Sequence, residues 1–118
     1  MTTAPGATVA RYLDRMTAHD WAGMAECLHP DVVRIGPFGD TYTPRPPYVA
    51  FLSGLLPSLA GYSLTVERMV SDGAVVMVEL VESMEIDGAL DVTREVLAFD
   101  LDADDLITRI EIFIQRPG

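Results

Sequence analysis

Two glutamates and one arginine carry the strongest chemical signal in the chain. Glu82 falls in an alternating run where Val76, Val78, Leu80, Met84 and Ile86 share its face. Glu95 shares a face with Thr93, Leu97 and Phe99, and Arg34 with Gly36 and Phe38. Side chains alternate across a strand, so turning these faces inward puts two carboxylates and a guanidinium into an apolar cavity. Burial raises a carboxylate pKa and a nearby cation lowers it, so such a pair can be set apart as acid and base. The plainer reading is an Arg34–glutamate ion pair that braces the cavity. Tyr12 adds a phenol on the helical face Val9, Tyr12, Leu13, Met16; its plainer reading is a core tyrosine with a satisfied hydroxyl.

Other residue types point away from chemistry. Cys27 is the only cysteine, which excludes an internal disulfide and a cysteine zinc site. It reads as a small core hydrophobe. His19 and His29 stand ten apart at helix ends with no partner at ligand spacing, so no metal site is expected. The run from Asp100 to Glu111 has acids at calcium-loop positions, but Asp105 stands where that loop needs glycine. Its flanks read as strands, so a hairpin turn with solvated acids is expected. No residue pattern calls for a cofactor.

All eight basic residues are arginine, which rules out Schiff-base and lysine general-base chemistry. A net charge of −10 argues against nucleic acid and anionic membrane as partners. The acids concentrate after residue 60, at turns and on alternating strand positions, as a solvated face. Residues 46–66 carry no charge, but Gly54, Pro57 and Gly61 interrupt them, so they read as helix, break and strand rather than a membrane span. Met1 to Gly6 lacks the charge and apolar run of a signal peptide, and a cytoplasmic protein is expected.

The elements that must position these residues follow from spacing. One helix is predicted over about 7–18, and a short one after Asp20 as N-cap, with Trp21, Met24, Cys27 and Leu28 on its apolar side. His29-Pro30 should end it. A strand is predicted over 32–38. A third helix opens on Pro46 and Pro47, buries Tyr48, Phe51, Leu52, Leu55 and Leu56, and stops at Pro57. Strands follow over 62–71, 74–86, 90–101 and 106–115. Asp72-Gly73, Asp87-Gly88 and Asp102–Asp105 turn them into an antiparallel meander. The product is a single α+β domain over 1–118, a curved sheet wrapped on three helices. Its interior should be lined by Tyr12, Met16, Phe38, Leu56, Val78, Leu80, Glu82, Glu95, Leu97, Ile110 and Ile112.

This order resembles the nuclear transport factor 2-like superfamily. So do Arg11-Tyr12-Leu13, His19-Asp20-Trp21, Leu28-His29-Pro30-Asp31-Val32, Tyr48-Val49-Ala50-Phe51-Leu52 and Leu106-Ile107-Thr108-Arg109-Ile110-Glu111. The resemblance implies the cone fold; it hosts enzymes and binding domains alike, so the fold does not name a function. Against the ketosteroid isomerases, Tyr12 falls at the oxyanion-hole tyrosine, but Gly36 stands at the base and Leu97 near the second donor. That design is broken. Against the limonene-epoxide hydrolases, Leu80, Glu82 and Ile112 stand where the Asp-Arg-Asp set should be, and that design is broken too. For polyketide cyclases no catalytic residue can be matched.

Three functions therefore stand open. The leading one is binding of a small, largely apolar molecule in the cone, with no established enzymatic mechanism. The second is a lyase, isomerase or cyclase with Glu82 or Glu95 as base and Tyr12 or Arg34 as electrostatic partner. The third is an interaction module with a collapsed cone. The outer sheet face should carry Val75, Met77, Val81, Val92, Val96, Ala98 and Phe113 among Glu79, Arg94, Arg109 and Glu111. Such a face points to a homodimer, as the resemblance also implies.

Overall fold

Helix α1 (Pro5–Thr17) starts on a proline and buries Val9, Tyr12, Leu13 and Met16 along one stripe. It ends at His19, whose positive φ of 58° turns the chain. Asp20 then caps α2 (Trp21–Ala25) by accepting a hydrogen bond from the Gly23 N–H at 3.0 Å. α3 (Arg45–Leu55) begins with Pro46 and Pro47 in its first turn, where missing N–H groups cost nothing. A 3₁₀ turn at Leu56–Ser58 carries Pro57 and ends it. These are residues of a computed structural model that describes positions 4–115. Among them, no helix is long and apolar enough to cross a membrane.

The meander is built from β3 (Ser63–Asp72), β4 (Val75–Ile86), β5 (Ala89–Leu101) and β6 (Ile107–Gln115). Gly73, Asp87, Gly88 and Asp105 all take positive φ at its turns. Two strands from the first half complete a six-stranded sheet in the order β2-β1-β6-β5-β4-β3, where β1 is Leu28–Ile35 and β2 is Thr41–Tyr42. Only β1 and β6 run parallel; the other neighbours are antiparallel.

The first strand departs from expectation at both ends. It starts at Leu28, because Leu28 pairs with Ile107 and a register shift before Val33 absorbs Pro30, which has no ladder donor to offer. It stops at Ile35, because Gly36 to Asp40 close a tight turn with Gly39 at φ 81° and a Gly36 N–H to Asp40 carbonyl bond of 2.7 Å. Phe38 therefore rides the turn at 70% exposure and does not line the interior. β2 is too short to leave a periodic signal.

The inner face of the sheet meets the helices in one core. Tyr12 of α1 and Phe99 of β5 pack edge to face with ring centroids 5.8 Å apart, and both are fully enclosed. Val78 is also fully buried here, in solid packing, so it belongs to the core and not to the cavity wall as expected. At the other end of β4 and β5 the hairpin runs out beyond the core, leaving Ile86 and Leu90 exposed. Truncating Phe99 should open a cavity that its neighbours cannot fill. Phe99→Ala is expected to cost about 3–5 kcal/mol, read from urea unfolding midpoints. A loss under about 1 kcal/mol would mean that the ring is not part of the central packing.

Candidate functional site

Strand register decides which side chains meet in the cone. Glu95 lies directly opposite Leu80, and Glu82 two residues further along β4, so the two glutamates are diagonal neighbours on the inner face. Leu64 of β3 pairs with Glu82 on its other side, and Leu97 pairs with Ile112 of β6. α1 and α3 close the opening, and between them and the sheet lies a cavity of about 170 Å³.

Its wall brings together Tyr12, Met16, Leu56, Leu80, Glu82, Glu95, Leu97, Ile110 and Ile112 of the expected lining, with Arg34, which the sequence reading considered for chemistry without including it in that lining. Phe38 and Val78 are the two expected residues that it lacks. Tyr48 and Tyr62 are the polar members that the sequence reading did not assign to the site. Tyr48 had a usable signal, since it shares the α3 stripe with Leu52, Leu55 and Leu56. Tyr62 opens the strand expected over 62–71 and alternates with Leu64, a signal that could have put it on the inner face.

Polar groups at the glutamate end form a chain. The Tyr62 hydroxyl donates to Glu82, and Glu82 stands diagonally across the ladder from Glu95. Burial pushes the Glu95 carboxyl up to about 9, and the bond to Glu82 and its charge push the same way, while Arg34 opposes them. The Tyr62 phenol is also driven up, by burial first and then by the charge of Glu82. Burial and the neighbouring Glu82 thus favour the protonated form of Glu95.

At the other end stand Arg34 and two phenols. Tyr12 and Tyr48 are hydrogen-bonded hydroxyl to hydroxyl, and burial raises both pKa values. Arg34 donates to the Asp40 carboxylate at 2.8 Å, and its side chain is only 11% exposed. Its guanidinium lies over the rings of Tyr42 and Phe51, 5.7 and 5.4 Å from their centroids, and those rings stack on each other. The Arg34 Nε–H is buried without a hydrogen-bond partner. Leaving such a donor unpaired costs roughly 1–3 kcal/mol.

Residues considered for metals have structural work instead. His19 stacks on Trp21, and His29 Nδ1 accepts the Asp31 N–H. Asp102 accepts the N–H groups of Asp104 and Leu106 inside its own turn. Among the described residues, no three His, Cys, Asp or Glu groups come together as a metal-binding set.

A six-stranded curved sheet closed by three helices over a polar-ended cavity defines the nuclear transport factor 2-like class of α+β proteins. Within that class, residues 9–110 match the model of the SnoaL-like domain, so the chain belongs to the SnoaL-like family. Comparison with curated proteins gave no match. Solved structures are similar in fold. A nuclear transport factor 2-like protein from Burkholderia thailandensis superposes with a TM-score of 0.85 at 21% identity, over 97% of this chain and 92% of that one. A candidate SnoaL-like polyketide cyclase from Shewanella denitrificans gives 0.84 at 15% identity, over 94% and 90%. An LEH-like epoxide hydrolase from M. tuberculosis gives 0.79 at 18%, over 92% and 80%.

The retained proton on Glu95 has a thermodynamic signature. Its pKa is about 9 in the folded chain against an ordinary 4.5, so the folded state binds more protons between these values. Stability must then fall as pH rises through that window. Glu95→Gln cannot lose this proton. Its stability relative to the native chain should rise steadily from about pH 5 to about pH 9 and level off beyond, in urea melts. A difference that is flat with pH would show that Glu95 ionises normally.

Proposed function

We propose that this protein is a proton-transfer enzyme of the isomerase, lyase or cyclase kind, acting on a small, largely apolar molecule inside the cone. The observation that carries this reading is that a buried Glu95 and a half-buried Glu82 line the same cavity as diagonal neighbours. A pure binding site for an apolar ligand has no use for two adjoining carboxyls, since each costs free energy to desolvate. Two of the structural neighbours carry the names of a cyclase and an epoxide hydrolase, which supports an enzymatic reading.

In this reading Glu82 is the base. It accepts the hydrogen bond of Tyr62, and its carboxylate takes a proton from a substrate carbon or hydroxyl. The electron pair of the broken bond stays on the substrate and forms the new bond or expels a leaving group. Glu95, protonated at neutral pH, is the acid that returns a proton. No oxidant or reductant enters the balance.

The base can be tested without knowing the substrate. Benzisoxazole opens to a cyanophenol when a base removes its C–H proton and the N–O bond breaks. The native chain should accelerate this opening well beyond free acetate, and Glu82→Gln should lose about 10²–10⁴-fold. Equal rates for native and Glu82→Gln proteins would remove Glu82 from the role.

We propose also that two copies of the chain associate through the outer sheet face. Val75, Met77, Val92, Val96 and Phe113 are exposed there, across β4, β5 and β6. Arg68–Glu79, Arg94–Glu67 and Arg109–Glu111 pair within the chain at 2.7–2.9 Å, which mutes the charge between the apolar side chains. An apolar strip of this extent marks an interaction surface, and a two-fold axis would match it to itself. Sedimentation at micromolar concentration should give a dimer, and Val96→Arg should move it toward monomer. A native chain that stays monomeric on concentration would refute the interface.

A further inference from the structure

Two carboxyls of one kind that line one cavity need something to set them apart. Glu82 and Glu95 are diagonal neighbours on the same face of adjoining strands. Their surroundings differ. Glu95 is 8% exposed, while Glu82 is half-buried and receives the Tyr62 hydroxyl.

The backbone fixes that phenol from both sides. In the β3–β4 ladder Ser63 faces Ser83 and Leu64 faces Glu82. On the outer face the hydroxyls of Ser63 and Ser83 are bonded at 2.7 Å. Just before the strand, the Glu85 N–H donates to the Ala60 carbonyl at 2.8 Å. Between these two ties the chain turns at Gly61, with φ at 62°. A Cβ there would also stand 3.3 Å from the Glu85 side chain, so glycine suits the turn on both counts. Tyr62 is thereby set into the cavity wall beside Leu64.

We propose that Tyr62 is a positioning residue that makes Glu82 the ionised carboxyl of the pair and leaves Glu95 to keep the proton. A hydrogen bond to a carboxylate favours its charged form. Burial first, and then the charge of Glu82, push the Tyr62 phenol up, so it stays a donor. Its one hydrogen is spent on Glu82, so Tyr62 acts on a substrate through that carboxylate. Arg34 of β1, Tyr12 of α1 and Tyr48 of α3 face the same cavity as the two glutamates. Tyr12 and Tyr48 are bonded to each other, and the Arg34 charge is answered by Asp40 at 2.8 Å. Arg34 opposes the protonated form of Glu95, but burial outweighs it there. That leaves Tyr62 as the phenol that tells one carboxyl from the other. Its consequence for catalysis rests on the proton-transfer reading, in which base and acid are then assigned by a residue outside the pair.

Two measurements test this role. In the native chain carrying ¹³C-carboxyl glutamate, the signals of Glu82 and Glu95 are identified by their loss in Glu82→Gln and Glu95→Gln. The Glu82 signal should titrate at lower pH than the Glu95 signal. In Tyr62→Phe, the Glu82 titration and the acid limb of benzisoxazole opening should both move up by about one pH unit or more. A ring that merely fills the wall would move neither, because phenylalanine fills it as well. The native comparison keeps the test open if the variant does not fold. A Glu95 signal that titrates first, or a Glu82 titration that Tyr62→Phe leaves in place, would overturn the proposal. The expected titrations without benzisoxazole opening would remove Glu82 as base and still support the role of Tyr62 on the pair.

Discussion

Two carboxyl groups set side by side in an apolar cavity cannot both carry charge. Burial disfavours the charged form, and a like charge beside it does so further. Arg34, which opposes both effects on Glu95, is itself held by Asp40 and lies over the rings of Tyr42 and Phe51. The Glu95 carboxyl is raised despite that cation. The rest of the cavity is arranged around that constraint. Tyr62 donates to Glu82, and the two other phenols turn to each other rather than to the carboxyls. What results is a cavity in which two carboxyls, a guanidinium and three phenols share one largely apolar wall.

That arrangement stands on strand register. Glu82 and Glu95 meet because Leu80 faces Glu95 across an unbroken β4–β5 ladder that runs from Val75 to Ile86. A slip of one residue would carry both glutamates to the outer face and bring Glu79 and Arg94 inside. The tight Asp87-Gly88 turn, with both residues at positive φ, prevents that slip by fixing the hairpin from its tip. A surface turn thus determines the chemistry of a buried pair some residues away.

Much of this was legible in the sequence, and the reasons differ by residue. Alternation along β4 and β5 is long and regular, so Leu80, Glu82, Glu95 and Leu97 could be assigned to one face, and all four meet in the cavity. Alternation cannot tell how deep a residue lies along the cone. Val78 is on the right face but at a level where helices and sheet leave no space. Phe38 failed for another reason. Gly36-Pro37-Phe38-Gly39 has the residues of a turn, and the strand pattern leading into it was extended three residues too far. Tyr62 lay in an expected strand joined to β4 by the Asp72-Gly73 turn, but a register shift between Val66 and Arg68 sets the pairing beyond it. That Leu64 meets Glu82 follows from this irregularity, which leaves no trace in the alternation.

The end of β1 shows how one fold can move its chemistry between walls. Gly36 occupies the position where the resemblance to ketosteroid isomerases would put a carboxylate base. A Cβ at Gly36 would overlap the carboxylate of Asp40, so that space is already filled by the turn that follows the strand. Asp40 is no substitute base, because its carboxylate is committed to Arg34 and reaches the exposed rim rather than the cavity wall. Its role is to hold the guanidinium in place and balance its charge. With the first strand supplying a cation instead of a base, a carboxylate for proton transfer has to come from elsewhere. The sheet offers carboxylates to the same cavity on β4 and β5, at Glu82 and Glu95. In the proposed reading, base and cation thus stand on different strands from those the resemblance would suggest, and a substrate would be oriented accordingly.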